Sequence, residues 1–461
     1  MKTNGEMDMC TGPILKKVIV FSVPLMLTGV LQLLYNAADI IVVGQYTGKE
    51  ALAAVGSTAS LINLLINVFM GLSVGTSVAV AQQYGAGDHR AVGDTVHTSI
   101  ALALVCGVGV GLIGVLLAEP LLSWMGSPRE VLAPSALYMR IYFVGMPVNM
   151  LYTFGSAILR AVGDTRRPLI FLSVAGVVNV VLNLVFVIVF HMGVAGVALA
   201  TIIAQAISAV LVVRSLMQRP TSIRYEPRRT RMERAALKQI FRVGLPAGLQ
   251  GSLFSISNVL IQSSINSLGS VVMAGAAASA NLEGFVYTSM NSIYQACLTF
   301  VGQNRGARQF RRVRRTLWVC LGVVFGVGVA MGGLFTLFAP QLISIYNTNP
   351  EVIRQGALRM TVICSTYFLC GLMEVSVGQL RGLGYSMLPM VSTLTGVCGF
   401  RILWVYTVFP LFPTLVTLSW SYSVSWLITF LFQIVTYAVI QRNMPREDER
   451  LPAAACAARS A

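Results

Sequence analysis

The sequence predicts an all-α membrane protein in which twelve transmembrane helices form two six-helix lobes related by an internal repeat. Three observations lead to this fold class. Hydrophobic residues make up 56% of the 461 residues and charged residues only 11%, so a soluble domain could not bury the apolar surface. Apolar runs of about twenty residues, enough for a helix to cross a bilayer, recur along nearly the whole chain. A short polar motif also occurs twice.

Helices account for these apolar runs better than barrel strands do. In lipid every backbone donor and acceptor needs an internal partner, which only helices and closed barrels provide. The runs are rich in Gly, Ala, Val and Leu and lack the alternation of a barrel strand. The predicted helices span residues 18–43, 51–80, 95–118, 134–158, 168–190 and 194–216, then 239–265, 274–301, 317–339, 354–378, 387–410 and 415–440.

The duplicated motif is a glutamine followed by Gly-Ala and then by arginine and valine, and its second copy begins 221 residues after the first. A Leu-Arg-x-x-Gly motif repeats at the same spacing, from Leu159 to Leu380. Two matches at one spacing indicate a duplicated set of helices, and we expect the glycine of the first motif to permit a tight turn. The turn residues are Gln82, Gly85 and Ala86 in the first copy and Gln303, Gly306 and Ala307 in the second.

The repeat and the helix count divide the chain into four parts. Residues 1–218 are expected to form the N-terminal lobe and residues 237–441 the C-terminal lobe. Between them, residues 219–236 form a basic cytoplasmic linker. Residues 442–461 contain prolines and an alanine-rich stretch, which predicts a disordered cytoplasmic tail.

The net charge of +16 is distributed in a way that indicates membrane topology rather than nucleic-acid binding. Arginine and lysine are concentrated in alternate loops, and the positive-inside rule assigns those loops to the cytoplasm. An even number of helices then places both termini in the cytoplasm. We expect a multi-pass membrane protein, most simply a monomer.

Polar side chains inside the predicted N-terminal helices are the first candidates for a functional site. A carboxylate at the depth of Asp39 costs about 3 kcal/mol, so it must face a polar cavity or a partner. Tyr35 lies one turn before it, and Asn179 and Asn183 share one face of the fifth predicted helix. The alternative role for Asp39 is a salt bridge or a helix cap, with the intramembrane Arg140 as the available basic residue.

This polar cluster is not repeated in the second half of the chain. The repeat spacing carries Asn179 and Asn183 to Phe400 and Trp404, which cannot supply the same ligands. Because the turn motifs are duplicated and the polar cluster is not, we interpret the turns as scaffold and the cluster as a functional feature.

The second half has its own charged residues within predicted helices. Glu283 and Glu374 are candidate functional acids, and Arg401 is a candidate for ion pairing. An ion pair of Arg401 with Glu283 or with another acid would give both partners a structural role. Glu374 lies seven residues before Arg381, so a helix-end ion pair or gate explains it as well as a coupling role does.

Three motifs together resemble the multidrug and toxic compound extrusion (MATE) transporters. They are the segment from Tyr35 to Ile40 (Tyr-Asn-Ala-Ala-Asp-Ile) followed by Gly44, the twin Gln-x-x-Gly-Ala turns, and the twin Leu-Arg-x-x-Gly motifs. The resemblance covers all twelve predicted helices. It implies a transporter whose two lobes alternate in access and which exports organic cations in exchange for sodium ions or protons, with no other cofactor. It also implies a location in a bacterial-type inner (plasma) membrane.

In the branch of the family that this chain is most similar to, coupling is associated with an N-lobe cluster. Where that branch often has a second acid, this chain has Asn183, so the resemblance implies that Asp39 alone carries the charge. Oxygen ligands suit sodium, whereas a carboxylate removed from water also suits a proton. The matching positions are Tyr35, Asp39, Tyr138, Asn179, Asn183 and Thr201.

Antiport has two alternatives, a flippase and an enzyme. A lipid-linked oligosaccharide flippase, whose architecture is similar, would need a basic cavity for a diphosphate, and only Arg140 and Arg401 are candidates. A membrane-embedded enzyme would need paired carboxylates or clustered metal ligands. The three histidines are scattered over loops and helix ends, so we expect neither an enzyme nor a metal other than Na⁺.

Overall fold

The computed structural model describes residues 6–46, 49–124, 129–219 and 222–444, which form α-helices joined by short turns. The helices of the first half are α1 (Ile14–Tyr46), α2 (Lys49–Ala86), α3 (His89–Trp124), α4 (Arg129–Val144), α5 (Met146–Ala161), α6 (Arg166–Leu184) and α7 (Gly193–Met217). Those of the second half are α8 (Arg234–Asn266), α9 (Ser270–Gly306), α10 (Phe310–Leu337), α11 (Ala339–Ser344), α12 (Pro350–Gly382), α13 (Met387–Thr393), α14 (Phe400–Thr407) and α15 (Leu415–Arg442).

The predicted all-helical membrane fold is confirmed. Each predicted span falls on one of these helices or on a consecutive set of them. Within the described ranges, nine helices are long and apolar enough to cross a membrane, and the bent pair of α4 and α5 makes ten. Helices α8 and α9 are equally long but contain many Ser, Asn and Gln residues, so hydropathy alone does not identify them.

The bend between α4 and α5 has a local cause. The two helices meet at an angle of 49°. Pro147, the second residue of α5, has no amide hydrogen and cannot continue the α-helical hydrogen-bond ladder. The chain tightens instead, with the Gly145 amide donating to the Tyr142 carbonyl at 3.1 Å.

Two helices contain π-helical segments. Residues Val185–Val189 continue α6 as a π-helix, and Leu394–Gly399 join α13 to α14 in the same conformation. In a π-helix each amide donates to the carbonyl five residues earlier, instead of four as in an α-helix. The wider turn changes the direction in which the following side chains project. No sequence signal predicted either segment.

The chain forms two compact units, and three of the boundaries between them lie within helices. Unit 1 comprises Met1–Met7, Leu27–Val80 and Asp88–Gly248, and unit 2 comprises Asp8–Met26, Ala81–Gly87 and Leu249–Ala461. Helices α1, α2 and α8 each begin in one unit and continue in the other. The predicted tail lies outside the described residues from residue 445 onward.

The core of unit 1 is built where α3 packs against α4 and α5. Phe143 and Phe154 are fully buried there. Glycines on α3 allow the close approach, because a Cβ on Gly111 would lie 2.8 Å from the Phe143 carbonyl oxygen and one on Gly107 would overlap the Pro147 backbone. Gly109, between them, points away and has nothing within 4 Å.

Within unit 2, the two copies of the duplicated motif contact each other. A Cβ on Gly85 would overlap the backbone of Gln303, and a Cβ on Gly306 would overlap the backbone of Gln82. The prediction that Gly85 forms the turn is wrong, because α2 remains helical through Ala86. The motif glycines therefore permit two helix ends to cross at backbone contact.

The chain reverses two residues after each motif glycine. Gly87 adopts a φ of 75° after the first copy, and Arg308 adopts a φ of 57° after the second. Such left-handed residues end many helices because they let the last amides turn back onto free carbonyls. Arg308 is less suited to this conformation than glycine, so the two copies end their helices with different residues at the turn.

The second repeated motif does place its glycine at a turn. Gly163 and Gly384 have φ angles of 92° and 84°. In each copy the glycine amide donates to the motif arginine carbonyl, at 2.9 Å to Arg160 and 2.7 Å to Arg381. The following amide reaches back to the motif leucine carbonyl at 2.9 Å in both copies. The Leu-Arg-x-x-Gly sequence is thus a glycine-terminated helix end.

The N-terminal segment before α1 is tied to the end of α9 in unit 2. The Met9 amide donates to Gln303 Oε1 at 3.3 Å, and Asn304 Nδ2 donates to the Met9 carbonyl at 3.2 Å. Arg312 also donates to the Met9 carbonyl, at 3.0 Å. Met9 itself has no exposed surface.

The basic linker is ordered where it is described. Arg219 is buried and pairs with Asp164 and, at 3.1 Å, with Glu6. Further on, Arg231 pairs with Asp94 at 3.0 Å. The linker therefore packs on unit 1 through ion pairs, and not only through its net charge.

Candidate functional site

Four of the six predicted N-lobe residues form a connected polar cluster in unit 1. Asp39 lies on α1, Asn179 and Asn183 on α6, and Thr201 on α7. Asn183 Nδ2 donates to Asp39 Oδ1 and also reaches Asn179 Oδ1 at 3.4 Å. Asn179 Nδ2 in turn donates to Thr201 Oγ1 at 3.4 Å. The spacing of four residues on α6 places both amides on the face toward Asp39.

The cluster has an acceptor that no described group satisfies. The Asn183 side chain has no exposed surface, and its Oδ1 lacks a hydrogen-bond partner. A buried carbonyl oxygen without a donor is unfavourable by about 1–3 kcal/mol, so such an atom calls for an explanation. The Asp39 carboxylate and this free oxygen lie in the same cluster. Together they are oxygen ligands suited to a cation.

Asp39 has no basic partner among the residues that the structure describes. The ion pair that the sequence allowed with Arg140 is absent, because Arg140 pairs with Glu119 at 2.9 Å. Both side chains of that pair are exposed. The alternative interpretation of Asp39 as one half of a salt bridge with Arg140 is therefore wrong.

Tyr35 and Tyr138 flank the cluster without hydrogen bonding to Asp39. Tyr35 packs its ring against Gly176 of α6, where a side chain would leave no room, and its hydroxyl donates to the Ser173 carbonyl at 3.4 Å. Tyr138 of α4 packs against a small apolar cluster that includes Val42 of α1. The two tyrosines thus pack against the two helices, α1 and α6, that position Asp39 and Asn183.

Asn183 is followed closely by a structural irregularity. The π-helical segment Val185–Val189 begins two residues after it. Insertions of this kind are frequent at functional sites because they alter which side chains face inward. The segment supplies Val187 to the apolar cluster beside Tyr138. The spacing of the two asparagines in the sequence predicted their shared face. No sequence signal predicted this break in the helix.

In unit 2, Glu283 is neutralised by an arginine that the sequence analysis did not consider. Arg359 of α12 donates to both carboxylate oxygens, from Nε at 3.0 Å and from Nη2 at 3.1 Å, and both residues are buried. Ser279 Oγ also donates to this carboxylate at 2.6 Å. The predicted pairing of Glu283 with Arg401 is wrong. The available signal was Arg359, which lies within the predicted span 354–378 and not at its end.

Glu374 and Arg381 are near each other but do not form the predicted hydrogen-bonded ion pair. Arg381 instead donates to the Tyr294 hydroxyl and to Gln250 Oε1, both at 2.8 Å. Two neutral groups, Tyr294 on α9 and Gln250 on α8, therefore position the Arg381 side chain. Glu374 itself is half-buried on α12.

Replacing Glu283 with glutamine should destabilise the protein, because it leaves the buried Arg359 without its carboxylate. We expect a loss of about 3–5 kcal/mol in the free energy of unfolding, as for other buried ion pairs broken on one side. Thermal unfolding in detergent measures it. Glu351→Gln, which removes an exposed pair with Arg354, is the matched control and should not change the midpoint measurably. Equal midpoints for the two variants would contradict the buried pairing.

The chain matches a known family over most of its length. Residues 24–185 and residues 246–407 each match the MatE family, so the family unit occurs twice. The chain is 28% identical over 390 residues to the probable multidrug resistance protein YpnP of Bacillus subtilis, covering 84% of this chain and 86% of that protein. It is 21% identical over 374 residues to the multidrug export protein MepA of Staphylococcus aureus, covering 81% and 82%.

A solved structure shows the same fold. A multidrug resistance MATE family transporter of the MOP superfamily, in an outward-facing conformation, superposes with a TM-score of 0.89 at 22% identity. The superposition covers 96% of this chain and 99% of that one. The similarity extends over both halves of the chain.

Proposed function

Because this chain belongs to the MatE family of multidrug efflux transporters, we propose that it is a secondary antiporter that exports cationic and amphipathic drugs or toxic organic compounds in exchange for H⁺ or Na⁺. The family consists of multi-pass membrane transporters and not of enzymes. The observation that carries the proposal is the cluster around Asp39: a carboxylate inside a membrane helix, without an ion-pair partner in the described ranges, beside an unsatisfied buried oxygen.

The cluster can hold a cation by a small rearrangement. In the structure the Asn183 amide nitrogen faces Asp39. A half-turn of that amide would exchange the nitrogen for the oxygen and present Oδ1 beside the carboxylate. Asn179 Oδ1 and Thr201 Oγ1 would complete an oxygen-rich site for Na⁺. For a proton, the carboxylate alone suffices, and Asn183 can accept or donate the hydrogen bond as required.

Coupling requires that the ion and the drug favour different states of the transporter. We propose that the N-terminal lobe (1–218) and the C-terminal lobe (237–441) alternate in access, connected by the linker 219–236. Cation binding at Asp39 would favour one state and drug binding the other, because only a difference in affinity between states can shift the equilibrium. The buried Glu283–Arg359 pair already balances its charge, which supports Asp39 as the principal coupling residue.

The topology supports export from a cell. The concentration of arginine and lysine in alternate loops supports cytoplasmic termini in an inner, plasma membrane. The proposed substrates are small organic cations, which the membrane potential draws toward the cytoplasm, so expelling them requires energy from an ion gradient. A single chain contains both lobes, and we propose that it works as a monomer.

Ethidium transport in proteoliposomes tests this function. The wild-type protein is reconstituted, and ethidium movement is followed by fluorescence under an imposed pH gradient or an imposed sodium gradient, with a matched potassium gradient as the control. Transport driven by one of the two gradients supports antiport and identifies the ion. Ethidium movement that is equal with and without either gradient would contradict coupled exchange.

Asn183 contributes a ligand rather than the charge, so its removal should weaken ion binding without abolishing transport. For Asn183→Ala we expect the ion concentration that gives half-maximal transport to rise about tenfold, which corresponds to about 1.4 kcal/mol. Asn281→Ala is the control, because Asn281 is exposed and its one side-chain hydrogen bond within the described ranges goes to the Ala277 carbonyl of its own helix, at 3.1 Å. An unchanged half-saturating concentration in Asn183→Ala would exclude Asn183 from the ion site.

A further inference from the structure

Arg401 of α14 is a buried guanidinium that lacks most of its hydrogen-bond partners. Only 1% of the residue is exposed. Its Nε donates to Ser425 Oγ at 3.0 Å. Nη1 and Nη2, which carry four of its five N–H groups, have no acceptor among the described residues. A charged group inside a membrane helix is unfavourable unless something pairs with it, so these two nitrogens indicate a missing acceptor.

Aromatic rings surround the same guanidinium. The Arg401 Cζ lies 4.1 Å from the centroid of the Tyr422 ring, 5.4 Å from that of Phe254 and 5.9 Å from that of Trp426. We name these four residues the Arg401 cage. The rings attract the cation through their π faces but accept no conventional hydrogen bond from Nη1 or Nη2. The cage therefore stabilises the positive charge and leaves its hydrogen-bonding capacity free.

The charges around Tyr422 do not balance. A second guanidinium, that of Arg359, also faces the Tyr422 ring, at 5.6 Å from its centroid. The only carboxylate that pairs with either arginine in the described part of the chain is Glu283, and both of its oxygens bond to Arg359. Two positive charges thus share one negative charge. The local excess is one positive charge, and it lies on Arg401.

The backbone next to the cage is irregular as well. Arg401 is the second residue of α14, directly after the π-helical segment Leu394–Gly399. In unit 1 the coupling candidate Asn183 also adjoins a π-helical segment. Asn183 and Arg401, each of which has an unsatisfied side-chain atom, therefore both lie close to a π-helical segment of a membrane helix.

We propose that the Arg401 cage is a binding site for the carboxylate of an aromatic monocarboxylate. The two free Nη groups match the two oxygens of a carboxylate, which is the geometry that arginine binds best. The single excess charge suits a monoanion better than a diphosphate. The surrounding rings suit an aromatic body. Because the cage is closed in this structure, the ligand enters in another state of the transport cycle, and this part rests on the proposed function.

Thermal unfolding of the full-length protein in nanodiscs tests the cage. The probe is 1-naphthoate, compared with the neutral 1-naphthamide, in a chloride-free buffer. A ligand that binds the folded state raises the unfolding midpoint in proportion to its saturation. We expect 1-naphthoate to raise the midpoint in a saturable manner and 1-naphthamide not to. Arg401→Gln should weaken the apparent affinity for 1-naphthoate at least tenfold, and Arg354→Gln, at an exposed arginine, should leave it unchanged.

Arg401→Lys covers the case in which the glutamine variant does not fold. Lysine keeps the charge but has no planar fork, so 1-naphthoate should bind more weakly than to the wild type while the protein stays folded. The proposal is overturned if 1-naphthoate and 1-naphthamide act alike. It is also overturned if both folded variants bind 1-naphthoate as the wild type does, or if chloride alone reproduces the whole shift. Ethidium transport is measured in parallel, so that a failure of the 1-naphthoate site can be distinguished from a failure of the antiport proposal.

Discussion

Asp39→Asn is expected to abolish ion-driven ethidium transport while leaving the fold intact. Asparagine has the shape of aspartate and can still bond to Asn183, but it carries no charge and binds neither H⁺ nor Na⁺ in the working range. Loss of the charged ligand corresponds to about 3 kcal/mol or more, so the gradient-dependent rate should fall by about 100-fold. The measurement is the initial rate of ethidium transport under the gradient that drives the wild type.

A matched variant separates loss of the ion site from general damage. Asp88 is exposed and accepts a hydrogen bond from the Ala91 amide at 3.0 Å at the start of α3. Asparagine serves that capping role equally well, so Asp88→Asn should transport at the wild-type rate. Both variants should unfold at the wild-type temperature. A gradient-dependent rate in Asp39→Asn close to that of the wild type would remove Asp39 from the coupling mechanism.

Gly85→Val and Gly306→Val are expected to prevent the protein from folding. Each side chain would overlap the backbone of the glutamine in the other copy of the motif, and backbone cannot move aside as a flexible side chain can. Separating the crossing helices would expose the surface that they bury. We expect little or no monodisperse protein from either variant, measured as the yield of folded protein in size-exclusion chromatography after extraction.

The matched control is a helical glycine without neighbours. Gly109 of α3 has nothing within 4 Å of the position that a Cβ would take. Gly109→Val places the same side chain in a membrane helix, so it tests the effect of valine on helix formation alone. It should give about the wild-type yield. Wild-type yields from Gly85→Val and Gly306→Val would show that the two motifs do not cross at backbone contact.

The sequence was informative where the signal was local. Apolar runs of bilayer length predicted the helices, because a helix satisfies its own backbone wherever the rest of the chain lies. The spacing of Asn179 and Asn183 predicted a shared face for the same reason. A charge at position 39 was conspicuous because the residues around it are apolar. Each of these inferences needs only a window of one or two helical turns.

The sequence was uninformative where partners are distant along the chain. Glu283 pairs with Arg359 and not with Arg401 because of how α9, α12 and α14 pack. No local sequence pattern predicts this pairing. The duplicated motif indicated that Gly85 was important but not why, since a glycine in a tight turn and a glycine at a helix crossing look alike in sequence. The Leu-Arg-x-x-Gly motif, which does form a turn, offered no distinguishing residue.

The attachment of the N-terminal segment to α9 has a consequence for synthesis. Met9 and its partner Gln303 are separated by 294 residues. At the usual rate of elongation, the ribosome reaches that partner roughly 15 to 60 s after completing the segment. Throughout this interval Met9 has no docking place on α9, although α1 has already been released for insertion. Chains that are truncated before α9 would therefore leave Met9 permanently without its hydrogen-bond partners on that helix.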